Sequence, residues 1–231
     1  MNKRPVFSEK TKLSELISDN PKLLQLLPRF GIQLGFGDRN VAEVCAMNHV
    51  STKLFLLVCS IYFDPDTLPD AVESDSADLT SLLSYLNASH HYYLDERFPH
   101  IEMHLNRIIE AGGPKYGNML SHFYNEYKRE MVKHFQYEEE VVFPYIAALR
   151  NGEHAQSYSI DQFRHNHSNI EEALEDMTNI LIKYLPGDIL PNERIEIALD
   201  IMELSADLIS HSLIEDRILI PYVETLENTL P

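Results

Sequence analysis

Two His–Glu pairs with the same spacing stand out in the sequence. His134 precedes Glu138 by four residues, and His211 precedes Glu215 by four. This interval places both side chains on one face of an α-helix, one turn apart. Imidazole nitrogen and carboxylate oxygen are both metal ligands, so each pair can give two donors to a metal centre.

Both pairs lie on faces that are otherwise apolar. The face of His134 also carries Tyr127, Met131, Val141 and Tyr145, and the face of His211 carries Ile201, Leu204, Leu208 and Leu219. Burying an ionised carboxylate there is costly unless it is paired or bound to a metal. A single pair of this kind is usually a surface ion pair, but its recurrence on two apolar faces, each followed by an apolar residue and Pro, favours a buried metal site.

Two more His residues complete a candidate ligand set. His91 lies among Leu83, Ala88, Leu94 and Phe98, and His167 lies among Ile160, Phe163, Ile170 and Leu174. Taken alone, each is more simply a hydrogen-bonded core histidine. Together the sequence predicts one centre with the ligands His91, His134, Glu138, His167, His211 and Glu215. Four imidazoles and two carboxylates suit iron, with manganese or zinc less favoured.

The number of donors suggests two ions. Two bridging carboxylates and two imidazoles per ion give four protein donors to each metal, and an oxo or hydroxo bridge makes five. One octahedral position on each iron then stays open. Dioxygen, peroxide or nitric oxide are ligands of the size that such a position accepts.

The elements that position these residues are predicted to be helices. Four long periodic segments are separated by the breakers Gly112-Gly113-Pro114, Asn151-Gly152 and Pro186-Gly187. We expect an all-α protein with three parts: a small N-terminal helical domain (1–63), a linker (64–77), and an up-down-up-down four-helix bundle (78–231). The predicted long helices are Asp78–Ala111, Tyr116–Arg150, Ser157–Leu185 and Pro191–Leu226; the predicted short ones are Lys22–Phe30, Val41–Asn48 and Thr52–Phe63.

Composition narrows the classes of partner. The net charge of −17 argues against a nucleic acid and against an anionic membrane surface as partners. The N-terminus lacks the apolar stretch of a signal peptide, and the longest apolar run, Leu54–Phe63, is too short to span a bilayer. Cys45 and Cys59 suit buried thiols in a reducing cytoplasm. Oligomeric state is left open, since an acidic surface does not prevent a dimer.

These motifs resemble the hemerythrin-like (HHE cation-binding) superfamily, and within it the di-iron iron-sulfur cluster repair family. His134-x-x-x-Glu138-Glu139 with Phe143-Pro144 is similar to that family's second-helix motif, and His211-x-x-x-Glu215 with Pro221 to its fourth. The resemblance covers nearly the whole chain. It implies a di-iron centre and a role in the nitrosative or oxidative stress response, with damaged iron-sulfur proteins as partners.

Three contrasts refine the resemblance. Oxygen-carrying hemerythrins have a His-x-x-x-His pair on the third helix, where this chain has His167 and Glu171, and ferritin-type proteins use Glu-x-x-His, which does not occur here. The repair family's adjacent Cys-Cys-Gly is replaced by Gly35-Phe36-Gly37. Because that dithiol is missing, a second reading stays open, namely a module that binds or senses dioxygen or nitric oxide without turnover. Whether the chain is an enzyme is therefore undecided, and a purely structural metal-bound bundle ranks third.

Overall fold

The computed structural model of the chain describes residues 7–64, 76–153, 158–166 and 171–229. Within these ranges every regular element is helical, and the one β-type contact is an isolated bridge between Lys12 and Asn40. The predicted all-α class is therefore confirmed. The α-helices are α1 (Leu13–Asp19), α2 (Leu26–Arg29), α3 (Val41–Met47), α4 (Thr52–Phe63), α5 (Ser76–His91), α6 (Phe98–Tyr137), α7 (Phe143–Arg150), α8 (Ile160–Asn166), α9 (Glu171–Asn179), α10 (Pro191–Ile214) and α11 (Ile220–Thr229).

The chain divides into two compact units. The first comprises Met1–Ser89 with Leu213–Pro231, and the second comprises His90–Ser212. Most of the predicted linker, 64–77, lies outside the described residues, so a domain boundary at that place stays a prediction. None of the helices in the described ranges combines the length and hydrophobicity that a bilayer-spanning segment needs.

Side-chain caps mark where three of the N-terminal helical elements begin. The Asn20 side chain accepts a hydrogen bond from the Lys22 amide, and the Ser51 hydroxyl accepts one from the Leu54 amide. The predicted start at Thr52 is present, and the start predicted at Lys22 lies one residue earlier, at Pro21. The stretch predicted as one helix, Lys22–Phe30, instead begins as a 3₁₀ turn over Pro21–Gln25 and continues as α2. Asn40 and Glu43 form a reciprocal capping box at the start of α3.

The predicted break between the first two long helices is a kink within α6. Gly113 has φ 64° and ψ −171°, a conformation that glycine adopts without the steric cost of a side chain. Pro114 follows and restarts the helix, because a residue at a helix start needs no amide donor. The predicted helix Ser157–Leu185 is described in two pieces, α8 and α9, while 154–157 and 167–170 lie outside the described residues.

The core of the second unit contains side chains from all four long helical segments. Large apolar residues occupy it at helical spacing in every segment, as expected for a bundle. The buried members are Tyr93, Phe98, Ile101, Leu105, Ile108, Leu120, Tyr124, Tyr127, Met131, Phe135, Leu174, Met177, Ile180, Leu181, Leu185, Ile197, Ile201, Leu204 and Leu208.

Each long segment also contains a π-helical turn. These turns span Tyr92–Arg97, Glu138–Val142, Ile180–Tyr184 and Glu215–Leu219. In each, the residue after the turn donates its amide to a carbonyl five residues earlier, and the residue after that is proline: Pro99, Pro144, Pro186 and Pro221. Proline lacks an amide proton, and its ring clashes with the carbonyl four residues before it. A wider turn with one extra residue relieves that clash, so the prolines explain the positions of the π turns.

A buried hydrogen bond connects the first two long segments next to the first π turn. The Tyr124 hydroxyl donates to the carbonyl oxygen of Phe98 at 2.9 Å. Burial raises the pKa of Tyr124, and the carboxylate of Glu102 raises it further, so the phenol stays protonated as the donor. This bond fixes the end of the π turn that follows the predicted ligand His91.

We expect Tyr124→Phe to lower the free energy of unfolding by about 1 kcal/mol, because the buried Phe98 carbonyl loses a donor while the ring still fills its space. Chemical denaturation monitored by circular dichroism measures the change. Tyr116→Phe is the matched control, since its hydroxyl contacts only the exposed side chain of Lys115 in the bonds described here. Equal stability of Tyr124→Phe and the wild type would contradict the prediction.

Candidate metal centre

Four buried side chains converge on one point of the structure. His90, Glu138, His211 and Glu215 each present a ligand atom, and these atoms all lie within 4.8 Å of one another. His90 comes from α5 and His211 from α10, while Glu138 and Glu215 are the first residues of two π turns. Two imidazoles and two carboxylates form a donor set that suits iron, manganese or zinc.

The carboxylate of Glu138 lies between two imidazoles. Its Oε2 is 3.0 Å from Nε2 of His90, and its Oε1 is 2.9 Å from Nε2 of His134. Ligand atoms ~2.1 Å from a shared metal ion are themselves separated by roughly 3 Å. Each oxygen of Glu138 therefore lies at the distance from an imidazole nitrogen that two ligands of one metal ion would have. One oxygen lies beside His90, and the other lies beside His134.

The orientation of His90 is fixed from two sides. Its ring stacks on Phe135 with centroids 4.2 Å apart, and Nδ1 donates to Oε1 of Glu139 at 2.8 Å. The hydrogen bond from His90 lowers the pKa of Glu139, so this carboxyl is ionised near neutral pH. An imidazole held in this way at Nδ1 presents Nε2 to a metal, and the carboxylate partner strengthens it as a ligand.

His211 lies in an aromatic enclosure. The ring of Tyr93 meets it edge-on at 5.6 Å between centroids, and the rings of His90 and Phe135 approach at 5.2 and 6.0 Å. All four of these residues are buried. Apolar walls lower the local dielectric constant and so strengthen the attraction between a cation and the two carboxylates.

A group of tyrosines lies close to Glu138. The hydroxyl groups of Tyr137 and Tyr158 are 2.8 Å apart, and the rings of Tyr145 and Tyr158 are 4.8 Å apart. Burial raises the pKa of Tyr158, followed by its hydrogen bond to Tyr137 and the charge of Glu138. The phenol of Tyr158 therefore remains a neutral hydrogen-bond donor near the carboxylate.

The structure replaces one predicted ligand with its neighbour. The side chain of His91 is 66% exposed and pairs with Asp95 at 3.2 Å, so the prediction that it points into the bundle was wrong. His91 precedes Phe98 by seven residues, which is two turns of a regular α-helix. The intervening π turn adds one residue, so His90, eight residues before Phe98, lies in phase with it instead.

The other predicted ligands have three different outcomes. The structure brings Glu138, His211 and Glu215 into the close group. His134 contacts Glu138 from outside that group, and its side chain is 14% exposed. His167 lies outside the described residues, so its role stays a prediction. His90 and Glu139 were missed by the sequence analysis, although Pro99 was a signal that the helical phase changes between His90 and Phe98.

The sequence of the bundle matches a known protein family. The sequence matches the "Hemerythrin HHE cation binding domain" over residues 82–223, more than half of the chain, and the protein therefore belongs to that family. The predicted hemerythrin-like fold class is confirmed. The matched range includes all four residues of the close group.

Relatives from staphylococci extend the similarity beyond the bundle. The chain is 22% identical over 185 residues to the iron-sulfur cluster repair protein ScdA of Staphylococcus haemolyticus, covering 78% of this chain and 83% of the relative. It is 21% identical over 178 residues to the protein of the same name in Staphylococcus epidermidis, covering 74% and 79%. The predicted resemblance to the repair family is thereby confirmed.

The two adjacent histidines give a direct test of this geometry. We expect His90→Ala to lose at least one metal ion per chain, because it removes a buried imidazole from the donor group. His91→Ala should keep the metal content of the wild type, since its side chain faces solvent. Elemental analysis of the purified variants measures the metal content of each. Loss of metal from His91→Ala but not from His90→Ala would show that the helix keeps the regular α-helical phase.

Proposed function

We propose that this protein is a non-haem di-iron protein that helps to restore iron-sulfur clusters damaged by nitric oxide or oxidants. The observation that carries the proposal is the buried group of two imidazoles and two carboxylates within 4.8 Å. Membership in a cation-binding family supports the presence of a bound metal. The staphylococcal relatives, which are named as iron-sulfur cluster repair proteins, support the role in repair. Manganese or zinc remain less favoured because the repair relatives point to iron chemistry.

Two metal positions share Glu138 in this proposal. His90, His211, Glu215 and Glu138 would hold the first ion, and His134 together with Glu138 would hold the second. The predicted ligand His167 would complete the second position. Iron held in this way supplies reversible one-electron chemistry and affinity for small diatomic molecules such as dioxygen and nitric oxide.

The chain's own residues prepare the centre in three ways. Glu139 fixes the ring of His90, so that its Nε2 faces the group. Tyr93 and Phe135 wall off His211 from bulk water. Tyr158 keeps a protonated hydroxyl near Glu138, where it can donate a hydrogen bond.

The N-terminal domain has a reduced role in this proposal. The stretch Gly35-Phe36-Gly37, which stands where the family has Cys-Cys-Gly, carries no thiol, and its two glycines have positive φ, 92° and 66°. Cys45 and Cys59 are buried; burial raises the pKa of Cys45 to about 11 and raises that of Cys59 further. Thiols with raised pKa values are poor nucleophiles and poor ligands at neutral pH. Repair would therefore depend on iron held in the bundle.

A second function is favoured by the same missing dithiol. The centre would capture dioxygen or nitric oxide and report its presence without turnover. Both functions fit a reducing cytoplasm, where two buried free thiols persist. In repair a damaged iron-sulfur protein is a partner, whereas in sensing a small diatomic molecule is the sole ligand.

One carboxylate variant and one imidazole variant test the metal assignment. We expect Glu215→Ala and His134→Ala each to lose at least one iron per chain, because each removes a ligand from one of the two positions. Glu140→Ala is the matched control, since Glu140 lies in the same π turn as Glu138 but is exposed. Iron content with a Mössbauer spectrum measures the result; full occupancy in both ligand variants would refute the assignment.

Repair and sensing are separated by two assays on the reduced, iron-loaded protein. Nitric oxide is added without oxygen and nitrous oxide is measured; separately, the protein is incubated with a damaged iron-sulfur enzyme and the recovered activity is measured. We expect recovery that exceeds the recovery with free iron, and its loss in Glu215→Ala. Tight nitric oxide binding with neither nitrous oxide nor recovery would establish the sensing function instead.

A further inference from the structure

Helix α10 has apolar side chains on two faces. One face packs into the core of the second unit. The other face is exposed, and its apolar members are Ile195 (60% exposed), Leu199 (61%), Met202 (53%) and Ile209 (39%). These four residues form what we call the outer stripe. Single exposed apolar side chains are common on proteins, whereas a contiguous group of them marks an interaction site.

The outer stripe has the spacing of a coiled-coil seam. Its first three members are separated by four and then three residues. Seven residues separate Met202 from Ile209, and the partly exposed Ala206 divides this interval into four and three. Alternating intervals of four and three form the a and d positions through which two helices pack along their length. The stripe therefore has the pattern of a surface that receives another helix.

An apolar groove runs beside the stripe. It has a volume of about 380 Å³, and its lining includes Ile182 of the neighbouring π turn together with Ile195, Leu199 and Met202. A ridge and a hollow thus lie next to each other on one surface. A two-fold interface needs such a shape, because the same patch on both copies must fit itself. The ridge of each copy can then enter the groove of the other.

We propose that a second copy of this chain packs on the outer stripe, with the two α10 helices side by side and parallel about a two-fold axis. Each a or d position of one helix would then meet the same position of the other copy. The stripe lies on the face of α10 opposite to the core, so this proposal does not depend on the proposed repair function.

The charges beside the stripe favour the parallel direction. Glu196 and Glu203, each one residue after a member of the stripe, are exposed along one edge. The other edge has the small residues Ala198 and Ser205, and Arg194 lines the groove there. A parallel pair brings the acidic edge of one helix to the small-residue edge of the other, whereas an antiparallel pair brings the two acidic edges together.

Like charges at an interface oppose association, and the chain as a whole carries −17. Arg97, which is 3.6 Å from Glu203, offsets only part of the acidic edge. An antiparallel pair would therefore be penalised. The parallel pair avoids this contact and places the acidic edge near the guanidinium of Arg194, which supplies a charge of the opposite sign.

The apolar area also matches an interface of ordinary size. The four stripe residues and Ile182, which is 58% exposed, are about half-exposed on average. Each offers roughly 100 Å², or about 500 Å² per copy in total. A standard interface buries about 800 Å² per partner, and somewhat more than half of that is apolar. The stripe can therefore supply the apolar part of a stable dimer interface.

Sedimentation equilibrium of the full, iron-loaded chain over a series of concentrations tests the proposal. We expect the wild type to form a dimer at micromolar concentrations. Leu199→Glu should weaken the dimer at least tenfold, because it places a carboxylate from each copy within the seam. Met47→Glu is the matched control, since Met47 is also 60% exposed but lies on α3. It should form the dimer as the wild type does.

Circular dichroism and iron content, measured for each variant, show whether the fold and the metal centre are retained. Both should equal those of the wild type, since the substituted side chains are exposed. A monomeric wild type would overturn the proposal, and it is the result expected if a different protein covers the stripe. A dimer as stable in Leu199→Glu as in the wild type would overturn it as well.

A cysteine introduced in the stripe tests the direction of packing. In a parallel pair residue 206 lies beside residue 206 of the other copy, so Ala206→Cys should cross-link the dimer under mild oxidation. In an antiparallel pair the two residues lie apart. The native thiols of Cys45 and Cys59 are buried and do not compete. A dimer that forms without this cross-link would overturn the parallel arrangement, and none of these results would bear on the assays of repair.

Discussion

The cost of burying two carboxylates in an apolar interior governs this structure. Glu138 and Glu215 are fully buried beside two imidazoles, in a bundle whose core consists mainly of large apolar side chains. An ionised carboxylate in such surroundings requires a compensating positive charge and hydrogen bonds. A divalent cation would supply that charge, and its binding would then also stabilise the fold. The enclosing rings of Tyr93 and Phe135 make the compensation stronger by keeping water away.

Much of this site could be predicted from sequence because its key pairs are local. The interval between His211 and Glu215 determines their relative position within one helix, whatever the rest of the fold does. Likewise, the helix breakers and the caps at Asn20 and Ser51 depend on a few adjacent residues. The class of fold and three of the four closely grouped donors followed from such short-range information.

The choice between His90 and His91 could not be made in the same way. It depends on whether the turn before Phe98 holds one residue more than an α turn, and one residue rotates a side chain by about 100°. Proline at a fixed distance after each π turn gives the physical reason for the extra residue. A regular helical period, however well matched by the apolar residues, cannot register such a change of phase. Glu139 could not be identified from the sequence for the same reason, because its role depends on the position of His90.

The two sets of His and acidic residues in the second half of the chain show how burial decides what similar donors do. At the centre, imidazole and carboxylate lie in a buried enclosure where a neighbouring carboxylate fixes the ring of His90, so an ion bound there would be shielded from bulk water. On the surface, His100 and Asp200 have comparable separations but arginine neighbours and solvent. Because the arginines already neutralise those carboxylates, no cation is required for stability there. Spacing therefore identifies residues that can bind a metal, whereas burial and competing charge determine whether the protein must keep it.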